Sequence, residues 1–328
     1  MTGPAGDIPA REGDTRRISV ALLTGNSEAV IGSMLAGLAA QRRAPYEVIV
    51  HDGASSDSTL DIVRSYDSIL NLQVIRSDRV RTTGESRQRC VERATGDLIA
   101  HADHDDVFLP DHFAVLSSLI EGPGTIAYPS AFIWEPGRSV RLDRDAWGAE
   151  HPPIERQLET LAVRNFVFGS AMYTRDDCER IARPSAKNLG EDWDQWLRMA
   201  LGGVRFARSD VPTVLYRWWE QNLSKKAAEM RASTESMLAE YDPRIREQIG
   251  ERAFRRVRRA RAHRHAWTDT YALLREGRDT EARRHALRHL GARDRRVVAA
   301  AVLPSGVLRR VVRIPDHASP AANGPAGD

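Results

Sequence analysis

Ile18, Ser19, Val20, Ala21, Leu22 and Leu23, followed at once by Thr24, Gly25 and Asn26, is the stretch whose reading sets the fold class. A short, mostly apolar run of strand-forming residues reads as a buried strand, and Gly25 and Asn26 mark the point where the backbone must turn. Ser27 is positioned to cap a helix whose apolar residues Val30, Ile31, Met34, Leu35 and Leu38 recur at helical spacing. Pro45 then precedes a second strand, Glu47 to Val50. This is a βαβ unit, and the pattern continues. A turn at Asp52 to Ser58 leads to a helix through Leu60, Ile62 and Val63, then a strand at Leu72 to Ile75, a helix from about Glu85 to Ala94, and a strand at Asp97 to Ala102. Strands alternating with helices imply an α/β fold with a mostly parallel sheet, which takes ligands beyond the carboxyl ends of its strands. Asp52 and the run Asp103, His104, Asp105, Asp106 both follow such ends, so they can converge on one crevice.

Beyond Pro110 the periodicity weakens into an irregular α+β region, with apolar runs at Thr125 to Tyr128 and Ala131 to Trp134 and a Pro-containing loop around His151 to Pro153. From about Lys225 helical patterns return, including Tyr271 to Leu274 and Ala282 to Leu290, with Arg-rich faces. The expected organisation is a disordered lead-in at 1–17, an α/β domain at 18–224 with halves at 18–110 and 111–224, a basic helical extension at 225–314, and a disordered tail at 315–328.

With 328 residues, 41% hydrophobic and 28% charged, the chain can bury an ordinary globular core. No apolar run approaches the roughly 18–20 residues needed to cross a bilayer, and the polar start from Met1 to Arg17 is unlike a signal peptide. Two isolated cysteines, Cys90 and Cys178, suggest neither a disulfide framework nor a thiolate metal site and fit a reducing, cytoplasmic setting. The net charge is +3, with Arg concentrated beyond Glu251. Abundant Arg beside scarce Lys reads as coding bias, and no nucleic-acid partner is expected. Val297 to Leu303 and Val307 to Ile314, interleaved with arginines, have the mixture of an interfacial helix that could touch the inner face of a membrane, or of one packed on a partner.

Asp103, Asp105 and Asp106 are costly to hold together unless a cation or ordered water offsets their repulsion. Oxygen ligands after a buried strand suit Mg²⁺ or Mn²⁺, whereas an isolated acidic triplet reads as a solvated loop; the preceding apolar strand favours the metal. The turn from Asp52 through Ser55 to Thr59 can hold a base or ribose, or simply cap the next helix through Ser56 or Asp57. Gly84 to Arg87 opens a helix whose amides and guanidinium could meet a diphosphate, although Arg is common at helix starts. Gly190 to Arg198 reads as a helix with Trp193, Trp196 and Leu197 on one face. Asp192 at its entrance suits a general base, or else Glu191 and Asp192 only complement the helix dipole.

Together these residues resemble the family 2 glycosyltransferases, enzymes with a Rossmann-like GT-A fold, over about Ile18 to Ser224. The resemblance implies that Thr24, Asn26, Asp52 and Ser55 bind the nucleotide and that Arg87 lies near the diphosphate. Asp103 and Asp105 become the DxD element, with Asp105 the principal ligand of Mn²⁺ or Mg²⁺ and Asp103 shared with ribose or metal-bound water. Glu191 and Asp192 match the family's Glu-Asp pair, in which the Asp is the base. Asp106 would orient the site or meet the acceptor, and Gly169, Ser170, Trp134 and Trp193 would border the acceptor cleft. Tyr216, Arg217, Asn222 and Ser224 look like the closing motif, but Trp219 stands where many members have a histidine. The expected activity is inverting transfer of a sugar from a nucleotide diphosphate sugar, with UDP the default, to a hydroxyl acceptor in cell-envelope glycan or natural-product synthesis. The alternatives are a nucleotidyltransferase of the same fold, or a non-catalytic protein binding nucleic acid or a membrane surface.

Overall fold

The computed structural model describes residues 14–137, 139–143, 151–219, 222, 227–289, 295–303 and 307. Ser224, the lead-in before residue 14 and the tail lie outside them. In chain order the elements are β1 (Ile18–Thr24), α1 (Ile31–Ala39), β2 (Glu47–Asp52), α2 (Thr59–Arg64), β3 (Leu72–Arg76), α3 (Thr83–Arg93), β4 (Leu98–Asp103), β5 (Val107–Phe108) and α4 (His112–Ser118). There follow β6 (Thr125–Glu135), β7 (Ser139–Asp143), α5 (Gln157–Leu161), β8 (Met172–Thr174), α6 (Arg175–Arg180), α7 (Glu191–Leu201), β9 (Arg205–Arg217), α8 (Ala227–Arg275), α9 (Asp279–Arg288) and α10 (Arg295–Val302).

The strands of the described residues form one sheet in the order β3-β2-β1-β4-β8-β6-β9-β5, with β7 on β6. β1 to β4, β6 and β9 run one way, while β5, β7 and β8 run the other, so the sheet is mostly parallel as expected. Every residue of β1 and β2 is buried, because helices cover both faces of a parallel sheet. Ser27 caps α1 otherwise than expected: its carbonyl accepts the amides of Val30 and Ile31, while its hydroxyl pairs with that of Thr24.

The second half is more regular than its sequence suggests. The two apolar runs after Gly124 are one strand, β6, paired in parallel with β9, and the register shifts around Ser130 beside Pro129, which has no amide to donate. β9 went unread because Pro212 and the polar Arg208, Ser209 and Asp210 interrupt its pattern. Trp196, Tyr173, Phe108 and Phe113 are the largest side chains wholly inside.

α8 is broken at Gly250 (φ 77, ψ 160), and the chain divides into compact units between Gln248 and Ile249. Helical residues 227–248 therefore belong to the first unit: Ser233 Oγ donates to Leu189 O (2.7 Å), Tyr241 Oη to Asp194 (3.2 Å) and Gln248 to Leu201 O (2.8 Å). The second unit has its own core, in which Ala266, Leu274, Ala282 and Ala286 meet Val297, Ala300 and Ala301 of α10. Most of the stretch Val307 to Ile314 lies outside the described residues. Among those residues no helix is long and apolar enough to cross a membrane.

Candidate active site

The carboxyl ends of β1, β2 and β4 lie side by side, since Leu23 pairs with both His51 and Asp103, and Thr24 with Asp52. Their turns border a cleft of about 550 Å³. Thr24, Gly25, Asn26 and Gly53 line one side, Asp103 to Asp106 the floor, and Leu189 to Asp192 another wall, with Thr83 and Ser86 from the first turn of α3. Thr82 caps α3 in a reciprocal capping box with Glu85, and Gly84 lets the helix approach the 185–187 loop, because a Cβ there would lie 1.8 Å from Ser185 O.

The first two turns are bonded to each other: Asn26 N–H donates to Ser55 Oγ (2.9 Å), and Ser56 N–H to Asn26 Oδ1 (2.9 Å). Asn26 (φ 46) and Ala54 (φ 63) hold left-handed backbone that side chains other than glycine rarely adopt. Asp52 is wholly buried; its Oδ2 accepts Ser55 N–H (3.1 Å), and its Oδ1 has no partner among the described residues. Asp52 and Ser55 thus brace the turn from beneath, and Gly53 presents its surface to the cleft.

The acidic carboxylates have different surroundings. Asp103, 40% exposed at its side chain, accepts Arg87 Nη2 (3.1 Å) through Oδ1. Asp105 lines the cleft; its Oδ2 accepts Trp219 Nε1 (2.9 Å), and its main-chain oxygen accepts Arg217 Nε (3.1 Å). Asp106 is buried, takes a hydrogen bond from Ser170 (3.1 Å), and is pushed well above the usual carboxylate range by burial and then by repulsion from Asp105 and Asp103. Asp106 thus reaches the floor from a buried position, and Ser170 supports it from beneath.

Arg87 is 2% exposed and does not line the cleft. It sits beneath Asp103 and Glu191, donating to the latter at 3.4 Å, and its Nε and Nη1 have no partner among the described residues. Burial would lower its pKa, but Asp103 and then Glu191 outweigh that and raise it. Gly190, at φ 74, turns the chain into α7 so that Glu191 and Asp192 enter at the cleft wall. Both carboxyls are raised above their ordinary values, each chiefly by burial; Glu191 is raised further by Asp192, while Arg87 opposes the rise in both. Asp192 is held by Trp193 N–H (2.7 Å) and by Asn165 Nδ2 (3.1 Å).

The aromatic lining differs from the expected one. Arg217 stacks over Trp134 (4.1 Å), and Trp193 Nε1 donates to Leu161 O (2.8 Å), so neither ring lines the cleft. Phe168, Tyr216 and Trp219 do, together with Gly169, Val80 and Met230. Phe168, Val80 and Met230 carry no motif; Met230 comes from the helical extension, 38 residues beyond Asp192 in number but beside Gly190 in space, its Sδ 3.9 Å from a Cβ built there.

No group of three or more His, Cys, Asp or Glu able to hold a metal occurs among the described residues. Asp103 and Asp105 supply hard oxygen donors that fit a divalent cation sharing its remaining positions with phosphates and water, whereas Trp219 Nε1–H can only donate.

The model of the family described as Glycosyl transferase family 2 matches residues 19–182, half of the chain. The chain belongs to that family. The chain is 36% identical over 93 residues to poly(ribitol-phosphate) beta-N-acetylglucosaminyltransferase TarS of Staphylococcus aureus, 27% of this chain and 16% of TarS. It is 29% identical over 119 residues to validoxylamine A glucosyltransferase of Streptomyces hygroscopicus subsp. limoneus, 35% of this chain and 26% of that protein. It thus spans a minor part of each. In fold it is similar to TarS 1-349 crystallised with UDP-GlcNAc (TM-score 0.56, 22% identity, 70% of this chain and 71% of that one). It is also similar to the mannosyltransferase PcManGT of Pyrobaculum calidifontis in complex with GDP-Man and Mn²⁺ (TM-score 0.57, 18% identity, 91% and 79%). These likenesses support the GT-A architecture with C-terminal helices.

Proposed function

We propose that this glycosyltransferase moves a sugar from a nucleotide diphosphate sugar, with UDP as the favoured nucleotide, to a hydroxyl acceptor in one inverting displacement. The observation that carries the reading is Asp192, a carboxyl of raised proton affinity, on the wall of the same cleft as Asp103 and Asp105. Asp192 accepts the acceptor hydroxyl proton as that oxygen attacks the anomeric carbon, and Asn165 and Trp193 N–H orient it. Thr24, Asn26 and Gly53 receive the nucleoside on the bonded turns. Asp103 and Asp105 hold a divalent cation, Mn²⁺ or Mg²⁺, which when bound stabilises the negative charge of the departing diphosphate. Arg87 keeps Asp103 and Glu191 in place and moderates the proton affinity of the base. Phe168, Tyr216 and Trp219 offer apolar faces to the sugar rings.

The similar folds of TarS, solved with UDP-GlcNAc, and of PcManGT, solved with GDP-Man, support a nucleotide-sugar donor. The product is a cell-envelope glycan or a glycosylated natural product. The test is incubation of the purified chain with a panel of sugar nucleotides, acceptors and Mn²⁺, reading nucleoside diphosphate release and the anomeric configuration of the product by NMR. Release of pyrophosphate would instead establish a nucleotidyltransferase, and retention at the anomeric carbon would remove Asp192 from its role.

A further inference from the structure

Trp219 lines the cleft beside Asp105, and its indole N–H can only donate. Its Nε1 donates to Asp105 Oδ2 at 2.9 Å, and Asn222 Nδ2 reaches the same oxygen at 3.5 Å. The donors are themselves braced: Trp219 N–H donates to Asn222 Oδ1 (2.7 Å), and Asn222 Nδ2 also donates to Arg217 O (3.1 Å). Arg217, stacked on Trp134, grips the main-chain oxygen of Asp105 from the same strand end. Asp105 is therefore fastened at Oδ2 and at its backbone, and its Oδ1 makes no hydrogen bond among the described residues. Asp103 has one oxygen on Arg87 in the same way, with its Oδ2 towards Gly169.

We propose that Trp219 is a positioning residue that restricts Asp105 to a single ligating oxygen and so sets the site's preference for Mn²⁺ or Mg²⁺ over Ca²⁺. The inference rests on the reading that Asp103 and Asp105 hold a divalent cation. Two fastened carboxylates with one open oxygen each suit a small ion of octahedral habit that keeps water and phosphate in its other positions. Ca²⁺ takes more oxygens and benefits from a carboxylate binding through both, which the indole N–H obstructs. Partners that orient a metal ligand in this way are worth about 10–100-fold in affinity.

The test is Mn²⁺ binding to the full chain with UDP present, read from the free-ion paramagnetic resonance signal and by displacement with Ca²⁺. The wild type is expected to bind Mn²⁺ and to resist Ca²⁺. Trp219→Phe is expected to bind Mn²⁺ about tenfold or more weakly, with a smaller loss for Ca²⁺, so that the ratio of the two falls. Trp219→His, which introduces a ring nitrogen able to ligate, is expected to bind Mn²⁺ at least as well as the wild type. If Trp219→Phe binds both ions as the wild type does, or loses both equally, the positioning role is overturned while the metal reading stands. If the wild type binds no Mn²⁺, both fall.

Discussion

Replacing Arg87 by Met, which keeps much of the volume and removes the charge, separates two roles for one residue. Arg87 is 2% exposed and bonded to Asp103 at 3.1 Å and to Glu191 at 3.4 Å. Removing one partner of a buried ion pair typically costs about 3–5 kcal/mol, because the remaining charge is left uncompensated. Asp103 is exposed enough for water to screen it, and two donor groups of Arg87 that now lack partners would vanish, so the lower end, about 3 kcal/mol, is expected. Urea unfolding at neutral pH measures this. The kinetic consequence is more diagnostic. Arg87 lowers the proton affinity of Asp192, so its loss raises an already raised pKa. A base must be unprotonated, so activity that falls as pH drops should fall at a higher pH in the variant, because a nearby opposite charge is lost. The pH profile of kcat/KM at saturating metal reads that shift. A variant with an unmoved acidic limb but a raised donor KM would refute this reasoning and return Arg87 to direct contact with the diphosphate.

Asp192→Asn should lower kcat by about 10²–10⁴ and leave donor binding, measured by calorimetry with the nucleotide, nearly unchanged. Gly84→Ala should destabilise the protein by about 1–3 kcal/mol, because the new methyl meets the backbone of Ser185; a lowered thermal midpoint checks it, and an unchanged one would mean the 185–187 loop yields freely. Ser233→Ala, which removes the bond to Leu189 O at the entrance of α7, should cost about 1 kcal/mol in urea unfolding, and a neutral result would detach the helical extension from support of the catalytic helix.

The alternation of apolar strands with amphipathic helices from Ile18 to Asp103 was readable because β1, β2 and β4 are buried on both faces, with only β3 at the sheet edge partly exposed, and the turns carry Gly, Asn, Asp or Ser. Periodicity and turn chemistry are local properties. The order of strands beyond β4 was not readable, since β8 enters between β4 and β6, and β9 pairs with β6 across a bulge at Pro212, by contacts between residues far apart in the chain, such as Leu98 with Thr174, Ala127 with Met172 and Thr125 with Arg205. The types of residue in the site were likewise legible: Asp103, Asp105 and Asp192 all line the cleft.

Which side chains face the cleft and which face protein depends on packing. Arg87 and Asp52 carry side chains suited to ligands, yet both lie under the cleft surface, one charge-balanced by carboxylates and the other tied to the turn. Trp134 and Trp193 spend their rings on Arg217 and Leu161, leaving the lining to Phe168, Tyr216 and Trp219. Sequence position records what a side chain can do, whereas burial and hydrogen-bond partners depend on segments brought together from elsewhere in the chain, and these determine what it has left to offer.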